Sequence, residues 1–178
     1  MIINVEDIRK VRPIAENVND VKRLNPYIEE AEKLFLLPAL GAKLYKKVED
    51  AVSINNIGEP IIDNDGEIII TNLEYLFNGC YYDDDNRHCQ GLKQAVGYLA
   101  YSRFVRNHNV NITAFGVVQK QGQFSEQVDE KTIIRTANDA EKIGVEYLNQ
   151  CIEYINFDKC KKDKRGFKRN TKFKAIGK

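Results

Sequence analysis

The chain has 178 residues, of which 43% are hydrophobic and 30% charged, a balance that excludes both a disordered tract and a membrane-embedded bundle. At this length about 70% of the extended-chain surface can be buried, so a core forms without disulfide or metal staples. The net charge of +1 hides an asymmetry: Asp158 to Lys178 holds ten Lys or Arg against two Asp, a net of +8 that leaves residues 1–157 at −7.

The first predicted helix opens at Asn25-Pro26, where Asn suits a cap and Pro is tolerated at the first helical position. Ile28, Ala31, Leu34, Phe35 and Leu36 then recur at spacings of three and four. Pro38 is expected to kink or restart this helix, and a second stretch follows through Leu40, Leu44, Tyr45 and Val48, so that helix covers about 26–50. Residues 53–58 read as a loop. A β-hairpin is predicted over 59–70, with Pro60-Ile61-Ile62 and Glu67-Ile68-Ile69-Ile70 as arms around Asp63-Asn64-Asp65-Gly66. It is expected to project from the bundle and to need a helix or another chain against it.

A short apolar segment covers Leu73 to Phe77, and Asp83-Asp84-Asp85-Asn86 reads as the cap of a helix over 87–107. That helix carries Leu92, Ala95, Val96, Leu99, Ala100 and Phe104 as a core stripe. From 108 to 129 the helical period is lost, and the segment reads as a long extended loop. Ile112, Phe115, Val117 and Val118 have no local helical partner there, and exposed they would form an adhesive patch, which marks them as a subunit interface. The period returns over 130–157, with Ile133, Ile134, Ala137, Ala140, Ile143, Tyr147, Leu148, Cys151, Ile152 and Ile155 in register. The fold expected is mainly α, a helical bundle over 1–157 with a hairpin insertion and a long extended loop, followed by an extended basic C-terminal tail over 158–178.

No segment approaches the 18 to 20 apolar residues of a membrane span, and Met1-Ile2-Ile3-Asn4-Val5-Glu6-Asp7 lacks the basic start and apolar run of a signal peptide. The protein is expected to stay in the compartment where it is made. Cys80, Cys89, Cys151 and Cys160 then read as four free thiols. Zinc ligands come in pairs two to four residues apart, a spacing that these cysteines and His88 lack, and Cys151 lies on an apolar stripe. Asp83-Asp84-Asp85 lacks the spacing of a calcium loop. His88 beside Cys89 supplies no oxyanion donors. Gly41, Gly91 and Gly97 sit in helical patterns where close packing explains them better than a phosphate loop. The expectation is a chain with no catalytic residue, no cofactor and no metal, whose work is to bind other protein chains.

The tail admits three readings. Its Lys161, Lys162, Lys164, Arg165, Lys168 and Arg169, interleaved with Phe167, Phe173 and Ile176, suit a docking arm that orders on an acidic protein partner, with the apolar residues as anchors. The same residues suit a nucleic-acid-binding module, or a solvated tail with no partner.

Asn25-Pro26-Tyr27-Ile28-Glu29-Glu30-Ala31, leading into Leu37-Pro38-Ala39-Leu40-Gly41-Ala42-Lys43-Leu44-Tyr45, resembles the opening of the small head-tail connector, or adaptor, proteins of tailed bacteriophages. It is most similar to the connector ring proteins of crAss-like and related gut-bacterial phages. The loop containing Ala114-Phe115-Gly116-Val117-Val118, the long last helix and the extended tail are compatible with that family, although the 59–70 hairpin is larger than in its smallest members. The resemblance implies a structural subunit of a homo-oligomeric ring, commonly of twelve copies, that docks on the portal protein and touches other connector or tail proteins. DNA would pass through its channel without sequence-specific contact, and no membrane is involved. The implied location is the head-tail junction of the virion, with the host cytoplasm as the site of assembly. The alternatives from other classes are a nucleic-acid module using the basic tail, and an enzyme whose site the sequence does not reveal.

Overall fold

Asn4 opens the first helix, α1 (Val5–Val11), through a reciprocal cap: its carboxamide accepts from the Asp7 amide at 3.0 Å, and the Asp7 carboxylate accepts from the Asn4 amide at 3.2 Å. The computed structural model describes residues 1–12, 14, 20–62, 66, 68–84, 86–107, 110–113, 116–119 and 129–166, without the side chains of 20–22, 110–113, 116–119 and 159–166.

Helix α2 (Asp20–Ala31) begins before the Asn25-Pro26 start expected from sequence and carries Pro26 inside it. Pro26 has no amide hydrogen to give, but Leu24, Ile28 and Ala31 share one fully buried stripe, and burying all three outweighs one missing bond. The backbone then widens into a π-turn (Glu32–Leu36) ahead of Pro38, which stands in the first turn of the short α3 (Leu37–Leu40). The kink expected at Pro38 takes this form. Gly41, at φ +75°, separates α3 from α4 (Ala42–Ser53), so its role is conformational rather than helix packing.

Strands β1 (Ile61–Ile62) and β2 (Ile68–Ile70) form the expected antiparallel hairpin, with Ile61 opposite Ile70 and Ile62 opposite Ile68. It does not simply project. Ile61 and Ile70 are buried in the core, and only Ile62 and Ile68 face outward. Next come α5 (Leu73–Asn78), capped by the Asn72 side chain, and a second hairpin, β3 (Cys80–Tyr82) with β4 (Arg87–Cys89). From the acidic run expected to cap a helix, Asp83, Asp84 and Asn86 lie in the turn of this hairpin instead. Asp83 and Asp84 both take left-handed conformations, at φ 59° and 52°, which Asp tolerates better than most residues. Gly91 at φ +90° ends the hairpin; a Cβ there would come within 2.5 Å of the Gly79 amide nitrogen, so close backbone approach, not helix packing, requires it.

Helix α6 (Leu92–Asn107) follows, then the hairpin of β5 (Val110–Thr113) and β6 (Gly116–Gln119), then α7 (Glu130–Gly166). The extended loop expected over 108–129 thus contains a paired hairpin, because the β-branched residues on either side of its tip satisfy one another's backbone. Helix α7 runs past Phe157 to Gly166, so the basic segment begins as helix rather than as extended chain. The molecule is mostly helical, and among the described residues no helix is long and apolar enough to cross a membrane.

The core surrounds α6, which packs on α1, α2 and α7 and buries Leu92, Ala95, Val96, Gly97, Leu99, Ala100, Ser102 and Phe104. Gly97 fits close helix packing as expected: a Cβ there would lie 2.8 Å from a Val11 methyl. Gly144 does the same on α7, where a Cβ would lie 2.7 Å from Leu99 Cγ and 3.1 Å from the Ala95 carbonyl oxygen. At the N-terminal side, the Glu32 carboxylate, only 2% exposed, accepts from the Ile2 amide at 2.6 Å and the Tyr45 hydroxyl at 3.0 Å. Burial and the Glu32 charge push the Tyr45 hydroxyl above its ordinary pKa.

Two outcomes follow from this packing. Replacing Gly144 by Ala destabilises the fold by about 1–3 kcal/mol in urea unfolding, despite the roughly 1 kcal/mol that Ala gains in helix propensity, because Leu99 and the α6 backbone must move. Gly58→Ala, with open space at its Cβ position, is the near-neutral control. Because Tyr45 ionises more readily unfolded than folded, its contribution is complete below about pH 10 and is lost as pH rises above that. Tyr45→Phe therefore gives a shallower fall of the unfolding midpoint across alkaline pH than the wild-type chain.

Candidate protein-docking surface

Helices α6 and α7 are antiparallel neighbours, with Leu99 beside Gly144, Ser102 beside Glu141 and Arg106 beside Asn138. The pair therefore has two poles. At the pole where α6 ends and α7 begins, Arg106 Nη2 donates to Asn138 Oδ1 at 2.7 Å and to Glu141 Oε2 at 3.0 Å, tying the two helices together. One turn away, Arg103 grips Glu30 of α2 through two bonds of 3.0 and 2.9 Å. That bidentate contact holds the Glu30 carboxyl below its usual pKa. A shallow depression of about 420 Å³ lies beside this clamp, lined by Asn138, Glu141, Lys142, Val145 and Glu146.

From this braced pole the β5–β6 hairpin leaves the bundle. Ile112 pairs with Val117 and Asn111 with Val118 across it. Among the described residues, the two strands contact each other extensively and no other element to a comparable degree, and the sheet they make has only two strands. Among the described residues, neither outer edge pairs with a third strand.

The opposite pole is built from the other two hairpins laid on the C-terminal part of α7. Asp158 of α7 accepts from the Thr71 amide at 2.7 Å and from the Thr71 hydroxyl at 2.9 Å, which pins β2 to the helix. Tyr82 of β3 stacks edge-on against Tyr154 at 5.3 Å and tilted against Phe157 at 5.1 Å. Beside the charged Arg87, the outward residues here include apolar and aromatic ones: Ile62 and Ile68 are 45% and 43% exposed, and Tyr81 is 68% exposed with its ring 4.4 Å from that of His88. Strand alternation sends Cys89 into the core and His88 to the other face, so the sequence neighbours do not form a nucleophile and base pair.

Of the residues expected at the subunit interface, Ile112, Val117 and Val118 lie on the two strands of this arm, and Phe115 lies outside the described residues. Of the expected docking arm, Lys161, Lys162, Lys164 and Arg165 stand on the last turns of α7, while Phe167, Lys168, Arg169, Phe173 and Ile176 lie outside the described residues. Sequence reasoning missed the contact of Cys89 with Cys151 across β4 and α7, at 3.5 Å between sulfurs. It also missed the buried carboxylates Glu32 and Asp158, and α1 altogether, for which Asn4 followed three residues later by Asp7 was the available signal. Among the described residues, no group of three or more His, Cys, Asp or Glu is placed to hold a metal ion.

No curated protein and no solved structure matches the chain. A family model does match, over residues 36–161, which takes in all three hairpins and most of the α6–α7 pair. That match spans well over half of the sequence, and the chain belongs to the family described as a family of unknown function, DUF6712.

Proposed function

We propose that the chain is a structural subunit of a phage head-tail connector ring, which docks on the portal and continues the DNA channel toward the tail. The observation that carries this reading is the β5–β6 arm. It lies in the chain between the two helices that form the core, pairs with no third strand among the described residues, and carries four apolar β-branched residues, Val110, Ile112, Val117 and Val118. Such an arm needs cover, and a neighbouring copy supplies it by strand addition or by receiving its apolar residues. The resemblance of residues 25–45 to connector proteins and the net −7 of residues 1–157 are consistent with it, since an acidic lining lets DNA slide. In this reading the basic segment from Lys161 onward steers the subunit to the portal, and Phe167, Phe173 and Ile176 anchor it.

The experiment is assembly with purified portal, followed by negative-stain imaging and co-sedimentation. The wild-type chain forms rings on the portal vertex. Phe115→Asp combined with Val117→Asp leaves a helical monomer by circular dichroism and reduces ring formation at least about tenfold. Truncation after Gly166 keeps α7 and its Asp158 contact, and abolishes portal co-sedimentation while sparing the fold. Unchanged assembly by the double variant removes the arm from the interface. Salt-sensitive oligonucleotide binding that disappears with the truncation supports the nucleic-acid module instead.

A further inference from the structure

We propose that Cys89 and Cys151 are a modification site, a dithiol pair that hydrogen peroxide converts to a disulfide linking β4 to α7. The two residues are 62 positions apart in sequence, yet their sulfurs lie 3.5 Å apart, with both residues fully buried. Only a short movement separates this contact from a bond. The inference is independent of the connector reading.

The pair is asymmetric. With both thiols protonated, Cys89 donates to the Cys151 sulfur at 3.5 Å; when Cys89 ionises, Cys151 holds the one proton left between them and donates it, which keeps the Cys89 pKa below its ordinary value, while the same bond and burial push Cys151 up. Cys89 is therefore the attacking thiolate and Cys151 the resolving thiol. The Cys89 sulfur attacks one peroxide oxygen, the O–O bond breaks, and hydroxide leaves and takes up the displaced proton as water; Cys89 is now a sulfenic acid. The Cys151 sulfur then attacks Cys89, the S–O bond breaks, and a second water leaves. Two thiols and one peroxide give one disulfide and two waters, with both sulfurs oxidised and both oxygens reduced.

Cys80 is the nearest competitor. It sits directly across the β3–β4 ladder from Cys89 and is half-buried, but burial and the neighbouring Cys89 raise its pKa to about 11, so little of it is thiolate at neutral pH. In a reducing compartment the pair remains a dithiol; an oxidising medium fixes the second hairpin to α7 by a covalent bond.

The test is peptide mapping of the folded full chain after hydrogen peroxide and alkylation. Trypsin cuts after Arg87, Lys93, Lys142 and Lys159, which places the four cysteines on four separate peptides. The expected product is the Cys89 peptide joined to the Cys151 peptide with loss of two hydrogens, reversible by dithiothreitol, with a rise of about 5–10 °C in the thermal midpoint. In Cys151→Ser the Cys89 sulfenic acid accumulates and is trapped by dimedone, whereas in Cys89→Ser residue 151 stays a thiol. A Cys80–Cys89 link, or oxidation of Cys80 or Cys160 while Cys89 and Cys151 stay alkylatable, overturns the proposal. Mapping of the wild-type chain decides the question even if a variant fails to fold.

Discussion

The close approach of α7 to α6 at Gly144 is the contact on which the rest of the molecule depends. With hydrogen in place of a side chain, α7 comes down onto Leu99 and the Ala95 carbonyl, and α6 becomes enclosed by α1, α2 and α7. Enclosure explains why no residue of α6 is fully exposed: small residues at Ala95, Gly97, Ala100 and Ser102 let neighbours approach from several sides, and Leu92, Leu99 and Phe104 fill what remains. Every other element is placed by reference to this pair. The first two hairpins lie on its one pole, the β5–β6 arm leaves from the other, and α1 and α2 close the side away from α7.

Buried carboxylates fix the register of the elements around that pair. Glu32 joins the segment before α1 to the π-turn and α4, Asp7 pairs with Lys93 of α6 at 2.9 Å, and Asp158 holds β2. Each receives more than one donor or a full charge, so burial leaves none of them unsatisfied. Hydrogen bonds to a charged group contribute about 1.5–3 kcal/mol each, and removing the acceptor strands a donor in the core. Such contacts select one arrangement among several that would bury similar apolar area. The widened turn at Glu32 fits this role, since a π-turn rotates the following residues relative to a regular helix and brings Tyr45 of α4 to the same carboxylate.

How far the fold was legible depended on whether its signals were local. The apolar register of α7 identified that helix and its buried residues Ala137, Ala140, Leu148, Cys151 and Ile155, and the hairpin of Ile61–Ile62 with Ile68–Ile70 was legible from its β-branched arms. Pro26 misled because a rule about helix starts competed with a buried stripe that continued on both sides of it. The acidic run at 83–86 satisfies a helix cap and a left-handed turn equally well in composition; the short partners Cys80–Tyr82 and Arg87–Cys89 decided in favour of the turn. At the pole of the first two hairpins, the thiol contact and the Thr71–Asp158 clamp join residues 62 and 87 positions apart, which no windowed pattern can connect. Charge patterning revealed the basic segment but not that its first part is helical, because the apolar stripe ends at Phe157 while the backbone ladder continues without it.

The placement of the arm and the basic segment at opposite ends of α7 constrains any assembly built from them. A helix of 37 residues at 1.5 Å per residue is about 55 Å long; its early turns pack beside the end of α6, after which the β5–β6 arm follows, and its last turns carry the basic segment. Two contacts separated by most of the length of a small domain do not converge on one patch of one partner. A two-fold dimer, which joins a surface to its own copy, would engage the arm or the basic segment but has no need of both. The proposed connector ring would use both: in a head-to-tail interface the arm of one copy would meet a different surface on the next, and a rotation that closes would leave the basic ends of α7 together on one rim. The exposed apolar pole of Ile62, Ile68 and Tyr81 lies near those ends. In the proposed connector, charge on that rim raises the rate of encounter with the portal. Screening beyond about 8–10 Å leaves apolar contacts to set how long the docked state lasts.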